Sequence, residues 1–259
     1  MMAQLSDFGM DMTGKKVLIT GAGRGMGKDM ALTLAKAGAD VAITARTESQ
    51  LNEVAEEIRA LGRIAVPIPC DVAKKSDVDN AVAKAIQDLG GIDVLISNAG
   101  VSTRQRAIDI TEEEWLTTMN INVNGTFYMI QAVGKHMIPK KKGKIIIVSS
   151  VTGLRGGPGI YLHYSTSKGA LVAMTRALAM EWGRFNINVN GIAPGSVRTD
   201  MSPSINDPEL MKKYLKIIPI GWQGGPEHIS PLALFLASEA SDYMTGEVVV
   251  VDGGMVQHW

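Results

Sequence analysis

The sequence predicts an α/β fold of Rossmann type, in which a doubly wound parallel sheet of about seven strands carries helices on both faces. Seven short Val/Ile-rich runs lack a strict alternation of polar and apolar residues, which is typical of strands buried on both faces of a parallel sheet. Stretches with apolar residues three and four positions apart lie between these runs and indicate amphipathic helices. Because strands and helices alternate, right-handed crossovers should place helices on both sides of one sheet.

The predicted strands are spread over a chain of 259 residues that contains no linker and no repeat, so we expect residues 1–259 to form a single domain. In order, the strands are KVLIT, DVAIT, IAVPIPCD, DVLISNAG, KIIIVSS, VNGIAPG and VVVVDGG. Segment 196–229 is rich in Pro and Gly and interrupts the alternation of strands and helices after the sixth strand. We expect this segment to form a substrate lid. Its apolar residues that could contact a substrate are Met201, Ile205, Met211 and Leu215.

The composition argues against several classes of partner. The chain carries 26 basic and 26 acidic side chains, and this balance is not typical of proteins that bind nucleic acid or anionic membranes. Cys70 is the only cysteine, so neither a disulfide framework nor a Cys-rich metal site is expected. The first residues show no signal-peptide pattern, and no apolar run approaches the roughly 20 residues that span a bilayer. We therefore expect a cytoplasmic protein.

A glycine-rich turn follows the first predicted strand, in the stretch TGAGRGMGKDM. Gly21, Gly25 and Gly27 would allow a tight turn and the close approach of a pyrophosphate, while the N-terminus of the next helix would supply amide donors. The spacing G-x-x-x-G-x-G differs from the standard G-x-G-x-x-G because Met26 occupies one position. A strand before and a helix after the turn provide the context that dinucleotide binding requires.

The end of the second strand favours NADP(H) over NAD(H). An acidic residue about 20 positions beyond the glycines would bind the ribose 2′-hydroxyl of NAD, but residues 44–46 are Thr, Ala and Arg. Asp40 lies at the opposite end of this strand, and Glu48 lies beyond it. Arg46, together with Arg24 in the glycine turn, could instead pair with a 2′-phosphate. Use of NAD remains an alternative.

A tyrosine and a lysine share one helix face in the stretch YSTSK. Tyr164 and Lys168 are four residues apart, and a cation near a phenol favours the phenolate and lowers its pKa from about 10. The fifth strand ends just before this helix, so Ser150 should point a hydroxyl into the same crevice, where open α/β sheets bind ligands. Adjacent Ser149 should face the other way because side chains alternate along a strand.

The chain resembles the short-chain dehydrogenase/reductase family over essentially its whole length. The resemblance rests on TGAGRGMG, CDV, SNAG, NINVNGTF, SSVTG, YSTSK and IAPGSVRT, in the order of the family. It implies that Tyr164 is the general acid/base, that Lys168 lowers its pKa and holds the nicotinamide ribose, and that Ser150 binds the reacting oxygen. It also implies that Asn122 anchors a water relay, although Asn120 and Asn124 are nearby candidates.

The same resemblance implies a set of cofactor contacts. Asp71, followed by Val72, would contact the adenine. Asn98, Ala99 and Gly100 would line the ribose side, together with Tyr164 and Lys168. The nicotinamide pocket would be formed by Pro194, Gly195, Val197 and Thr199.

The sequence therefore predicts an NADP(H)-dependent oxidoreductase that interconverts a secondary alcohol and a ketone by direct hydride transfer, without a metal. Members of the family that the chain resembles include 3-oxoacyl thioester reductases and sugar-acid or cyclic-alcohol dehydrogenases. The alternatives are an NAD-dependent catabolic alcohol or polyol dehydrogenase and a non-catalytic nucleotide-binding sensor. Arg104, Arg106 and Arg155 lie beyond strand ends and could meet an anionic substrate, whereas His163 is expected to pack. The resemblance also implies a homotetramer.

Overall fold

The computed structural model describes residues 4–157, 159–199 and 208–258, and it contains one seven-stranded parallel sheet. The strand order is β3-β2-β1-β4-β5-β6-β7, so the chain reverses its direction of winding between β1 and β4. All seven predicted strands are confirmed. They are β1 (Lys16–Thr20), β2 (Asp40–Ala45), β3 (Ala65–Pro69), β4 (Val94–Ser97), β5 (Gly143–Val148), β6 (Ile187–Pro194) and β7 (Val248–Val251).

Helices cover both faces of this sheet. They are α1 (Gly25–Lys36), α2 (Glu48–Ala60), α3 (Lys75–Leu89), α4 (Glu112–Met119), α5 (Gly125–Lys140), α6 (Thr152–Arg155), α7 (Leu162–Trp182), α8 (Pro208–Lys216) and α9 (Ser230–Ala237). Helices α1, α2 and α9 pack on one face, and α3, α5 and α7 pack on the other. Within the described ranges, none of these helices combines the length and the apolar character needed to cross a membrane.

The buried strands explain why the sequence lacks polar alternation. In β1, Val17 and Ile19 join the apolar core under α1, whereas Leu18 joins the core under α3, and none of the three is exposed to solvent. Consecutive side chains of a strand point to opposite faces, so both faces here require apolar residues. The two apolar cores hold the strands in place from both faces of the sheet. The loops that follow the strands therefore start from fixed positions at its carboxyl edge.

A π-helical segment separates α4 from α5. Residues Asn120–Asn124 form this segment, and α4 and α5 continue directly from its two ends. Single π-helical turns of this kind occur frequently at functional sites. Within it, Asn122 is fully buried, whereas Asn120 is exposed and accepts a 2.8 Å hydrogen bond from Asn124 Nδ2 on the surface. The local geometry therefore points one of the three asparagines inward.

The ends of the predicted lid are joined to each other. Val197 and Gly224 form a parallel bridge, and the backbone N–H of Arg198 donates a 2.8 Å hydrogen bond to the carbonyl of Gly224. Met211 and Leu215 on α8 are partly buried, while Met201 and Ile205 lie outside the described residues. The role of segment 196–229 as a substrate lid stays a prediction.

Candidate functional site

A cavity of about 360 Å³ opens at the carboxyl ends of β1, β2, β4 and β5. This is the position at which doubly wound sheets bind ligands, next to the reversal of strand order. Its lining includes every residue predicted to bind the cofactor except three on or after β6. The lining residues are Gly21, Gly23, Arg24, Gly25, Met26, Gly27, Thr44, Ala45, Arg46, Thr47, Gln50, Cys70, Asp71, Val72, Asn98, Ala99, Gly100, Val101, Ile121, Val148, Ser149, Tyr164, Lys168 and Thr199.

The glycine turn is packed so tightly that it leaves no room for a side chain at Gly27. A Cβ atom there would lie 2.2 Å from the carbonyl oxygen of Gly21 and 2.7 Å from Nδ2 of Asn98. The turn leads directly into α1, whose first N–H groups lack helical acceptors and face the cavity end of the sheet. The arrangement suits an anionic group that must approach the backbone closely.

Asn98 ties the glycine turn to the neighbouring strand. Its Nδ2 donates hydrogen bonds of 3.0 Å to the carbonyl of Thr20 and 3.2 Å to that of Gly21. The hydroxyl of Thr20 in turn accepts hydrogen bonds from the backbone N–H groups of Asn98 and Ala99. The amide of Asn98 is therefore engaged in shaping the cavity wall.

The end of β2 carries a cationic side chain and no acidic one. Arg46 lines the cavity, is exposed, and has no hydrogen-bond or ion-pair partner among the described residues. Gln50 also lines the cavity, and its Oε1 would lie 3.1 Å from a Cβ atom placed at Gly23. Sequence analysis missed Gln50 and Thr47, although their place in the first turn after β2 is a usable signal.

Pro194, Gly195 and Val197 do not line the cavity, although they lie at the end of β6 or just after it, at the same edge of the sheet. A Cβ atom at Gly195 would lie 2.5 Å from Cβ of Asp252, so this glycine allows β6 and the turn after β7 to meet. Val197 instead bridges Gly224. Of the predicted nicotinamide-pocket residues, Thr199 alone reaches the cavity within the part of the chain described.

Tyr164 lines the cavity and is hydrogen-bonded to Ser150, which is buried. Ser150 itself is not among the lining residues, contrary to the prediction that its hydroxyl points into this crevice. Burial raises the pKa of Tyr164 to about 12, against a lowering contribution from its hydrogen bond with Ser150 and a further rise caused by Tyr161. Ser150 Oγ also accepts hydrogen bonds of 3.0 Å from Thr152 Oγ1 and 3.2 Å from the Thr152 N–H. The serine is thereby held with its oxygen towards the phenol.

Lys168 lies on the same face of α7, one turn after Tyr164. Its Nζ donates a 2.8 Å hydrogen bond to the carbonyl of Val148 and lies 5.8 Å from the centroid of the Tyr164 ring. Burial lowers the pKa of Lys168 to about 8. The lowering of the pKa of Tyr164 that Lys168 is expected to cause is not seen in this structure, because burial disfavours the charged forms of both groups.

Ser149 makes different contacts from Ser150, but Ser149 is the one of the two that lines the cavity, contrary to the prediction that it faces away from the crevice. Its hydroxyl donates a 2.8 Å hydrogen bond to the backbone carbonyl of Lys168. Ser149 therefore lies against α7 at Lys168, whereas Ser150 contacts Tyr164.

Asn122 connects three parts of the site from inside the fold. Its Oδ1 accepts a 2.8 Å hydrogen bond from the N–H of Val101, and its Nδ2 donates to the carbonyl of Val101 at 3.0 Å and to Ser167 Oγ at 2.9 Å. A Cβ atom at Gly100 would lie 3.2 Å from Asn122 Oδ1 and 3.5 Å from Lys168 Nζ. The asparagine amide and the lysine ammonium therefore approach the same glycine.

The segment after β4 forms a wall next to Tyr164. Arg104 Nε donates a 2.6 Å hydrogen bond to the hydroxyl of Tyr161, whose ring centroid lies 6.2 Å from that of Tyr164. Arg106 instead pairs with Asp109 at 2.7 Å on the surface, so the structure separates these two arginines. Arg155, at the end of α6, is exposed.

Comparison with known proteins matches this architecture over nearly the whole chain. The sequence family described as enoyl-(acyl carrier protein) reductase matches residues 21–256. A 3-oxoacyl-[acyl-carrier-protein] reductase of Thermotoga maritima is 37% identical over 247 residues, which cover 95% of this chain and 100% of the relative. This chain belongs to the short-chain dehydrogenase/reductase family.

Other members of the short-chain dehydrogenase/reductase family are similar to the same degree. A 5-keto-D-gluconate 5-reductase of Escherichia coli K12 is 37% identical over 246 residues, which cover 95% of this chain and 96% of the relative. The crystal structure of a gluconate 5-dehydrogenase from Burkholderia cenocepacia, in complex with NADP and tartrate, superposes with a TM-score of 0.92 at 34% identity, covering 97% and 99% of the two chains. The protein is thus an oxidoreductase of the class that interconverts secondary alcohols and ketones with a nicotinamide cofactor.

Proposed function

We propose that the protein is an NADP(H)-dependent oxidoreductase in which Tyr164 exchanges a proton with the oxygen of the substrate. The observation that carries the proposal is that Tyr164 and Lys168 line the same cavity as Arg46, with the centroid of the Tyr164 ring 5.8 Å from Lys168 Nζ. Ser150 is hydrogen-bonded to Tyr164. A phenol and a serine hydroxyl are suited to bind one carbonyl oxygen, and the cavity runs from Tyr164 to the glycine turn.

The cavity fits a dinucleotide because the glycine turn excludes side chains where a pyrophosphate would approach. Arg46 and Arg24 would hold the 2′-phosphate, Asp71 and Val72 the adenine, and Lys168 the nicotinamide ribose. When bound, the cofactor supplies or accepts the hydride, which is chemistry that the side chains cannot provide. Thr199 would contact the carboxamide.

In the direction of reduction, Ser150 would donate a hydrogen bond to the substrate carbonyl and Tyr164 would give it a proton. The high pKa of Tyr164 keeps the phenol protonated at neutral pH, so the resting site is ready to act as an acid. Lys168, in its charged form, would stabilise the phenolate left behind and allow reprotonation. Asn122 would hold the segment from Gly100 to Val101 and the start of the proton path in place.

The substrate side favours a molecule with an anionic group. Arg104 is exposed, its guanidinium is oriented by the hydroxyl of Tyr161, and this tyrosine is next to Tyr164. A carboxylate several bonds from the reacting carbon could therefore contact Arg104 while the carbonyl contacts Tyr164. The relatives named for gluconate, and the tartrate bound to one of them, agree with an oxo acid or hydroxy acid.

The direct test follows NADPH absorbance during incubation with 5-keto-D-gluconate, an acetoacetyl thioester and a cyclic ketone, with NADH in parallel. We expect faster turnover with NADPH and with the oxo acid. Tight NADPH binding without turnover on any substrate of the panel would instead favour the nucleotide-binding sensor. Equal or better use of NADH would favour the NAD-dependent dehydrogenase.

Assembly and location are part of the same proposal. Family resemblance supports a homotetramer formed through the helices that carry NINVNGTF and YSTSK and through the C-terminal strand β7. Cytoplasmic residence belongs to the same proposal and agrees with the metabolic enzymes to which the chain is similar. Light scattering at several concentrations would test the assembly.

A further inference from the structure

His163 precedes Tyr164 and is completely buried. Its Nε2 is hydrogen-bonded to the hydroxyl of Thr103, while its Nδ1 has no partner among the described residues. A buried ring nitrogen without a partner is costly, and an apolar side chain of similar size would avoid that cost. The histidine therefore needs a compensating reason, and the contact with Thr103 is the one that the structure offers.

Thr103 belongs to the segment 101–106, whose residues are exposed or partly buried. Three successive residues of this segment are each bound to the stretch that leads into Tyr164: Thr103 to His163, Arg104 to Tyr161, and the N–H of Gln105 to the carbonyl of Ile160 at 3.0 Å. Of the three partners, His163 alone belongs to α7, and its side chain is fully buried.

The base of the same segment is held by another buried polar group. Asn122 binds both the N–H and the carbonyl of Val101, so the segment is fixed at its start by Asn122 and at its middle by His163. Both anchors act on α7 within one turn of Tyr164, because His163 is the preceding residue and Asn122 donates a hydrogen bond to Ser167. The position of the segment and the position of the phenol are consequently coupled.

We infer that His163 is a positioning residue, which holds segment 101–106 as the substrate-facing wall beside Tyr164 by binding Thr103. The inference rests on the proposed role of Tyr164 for its functional meaning, but the contact itself can be tested without a substrate. Loss of the contact should loosen the wall and weaken the binding of substrate, while leaving the binding of NADPH unchanged.

The first test is hydrogen–deuterium exchange of segment 101–106 in the NADPH-bound protein. Thr103→Val keeps the shape of the side chain and removes the hydroxyl at an exposed position, so the chain should fold. We expect exchange in this segment to become about 3- to 10-fold faster, because one hydrogen bond is lost, with no change in β5. Thr103→Ser, the matched control, should behave like the unmodified chain.

The second test uses 5-keto-D-gluconate as the probe and separates KM from kcat. Thr103→Val and His163→Leu should each raise KM about 3- to 10-fold, and the double variant should raise it no more than either alone. His163→Gln keeps a side-chain amide that can donate or accept near the Nε2 position, so it should recover most of the loss. NADPH affinity should stay within about twofold.

Two results would overturn the inference. Unchanged exchange of segment 101–106 in Thr103→Val would show that the contact does not hold the wall. Faster exchange with an unchanged KM would show that the wall does not act on the substrate. Failure of the unmodified protein to turn over any probe would count against the proposed function alone, because exchange would still decide whether His163 holds the segment.

Discussion

The ammonium of Lys168 lies 5.8 Å from the centroid of the Tyr164 ring and is bound to the carbonyl of Val148. The two side chains share a helix face, yet burial moves their pKa values in opposite directions, to about 12 for the phenol and about 8 for the ammonium. Both shifts favour the neutral forms. Tyr164 is therefore protonated at neutral pH and can donate a proton. Of the two groups, Lys168 has the pKa that lies nearer to neutral pH.

This arrangement predicts a pH profile for ketone reduction. Below pH about 8, Lys168 is charged and Tyr164 is protonated, so kcat/KM should be constant. Above that pH the lysine loses its proton, and kcat/KM should fall by up to about tenfold per pH unit. Steady-state rates with saturating NADPH would measure the profile, with unfolding followed over the same range as the control. A rate that stays level to pH 10 would contradict the role given to the lysine charge.

Replacement of Arg46 by glutamine tests the choice of cofactor. If the guanidinium binds the 2′-phosphate, KM for NADPH should rise about 10- to 100-fold, as expected for loss of a charge-assisted contact, while KM for NADH stays within about twofold. Arg184→Gln, an exposed arginine that does not line the cavity, serves as the matched control. Equal effects on the two cofactors would show that Arg46 does not read the phosphate.

Replacement of Asn122 by alanine tests the buried amide. The change removes three hydrogen bonds and leaves the N–H and carbonyl of Val101 without partners inside the fold, so the free energy of unfolding should fall by about 2–4 kcal/mol. Asn120→Ala, two residues away on the surface, should change it by less than about 0.5 kcal/mol. Urea unfolding would compare the two variants. Similar losses in both would mean that the π-helical segment does not distinguish these asparagines.

Arg104→Gln tests the proposed anionic substrate. We expect KM for 5-keto-D-gluconate to rise about tenfold, because a charged contact is lost, with little change for L-sorbose, which carries a hydroxymethyl group in place of the carboxylate. Arg106→Gln is the control, since Arg106 pairs with Asp109. The proposal of an acid substrate fails if the two arginine variants behave alike.

The fold and most of the cavity follow from the sequence for a simple physical reason. Strands such as β1 are buried on both faces, so their composition identifies them, and motifs at the ends of strands must meet at one edge of the sheet. Glycines such as Gly27 are informative because the backbone passes too close for any side chain.

Other features depend on packing that the sequence does not display. The π-helical turn that buries Asn122 rather than Asn120 adds one residue per turn without a compositional sign. The family resemblance places Gly195 in the cofactor pocket, but in the structure its lack of a side chain allows close packing against Asp252. The spacing of Tyr164 and Lys168 predicts their proximity but not the depth of burial, and that depth decides the sign of the pKa shift of the phenol.

Replacement of Tyr164 by phenylalanine tests the central claim most directly. The variant keeps the ring and removes the hydroxyl, so NADPH affinity, followed by nucleotide fluorescence, should stay within a few fold while kcat for ketone reduction falls by about 100- to 10,000-fold. That combination would establish that the phenol transfers the proton. A variant that binds NADPH and reduces the ketone at the unmodified rate would contradict the account.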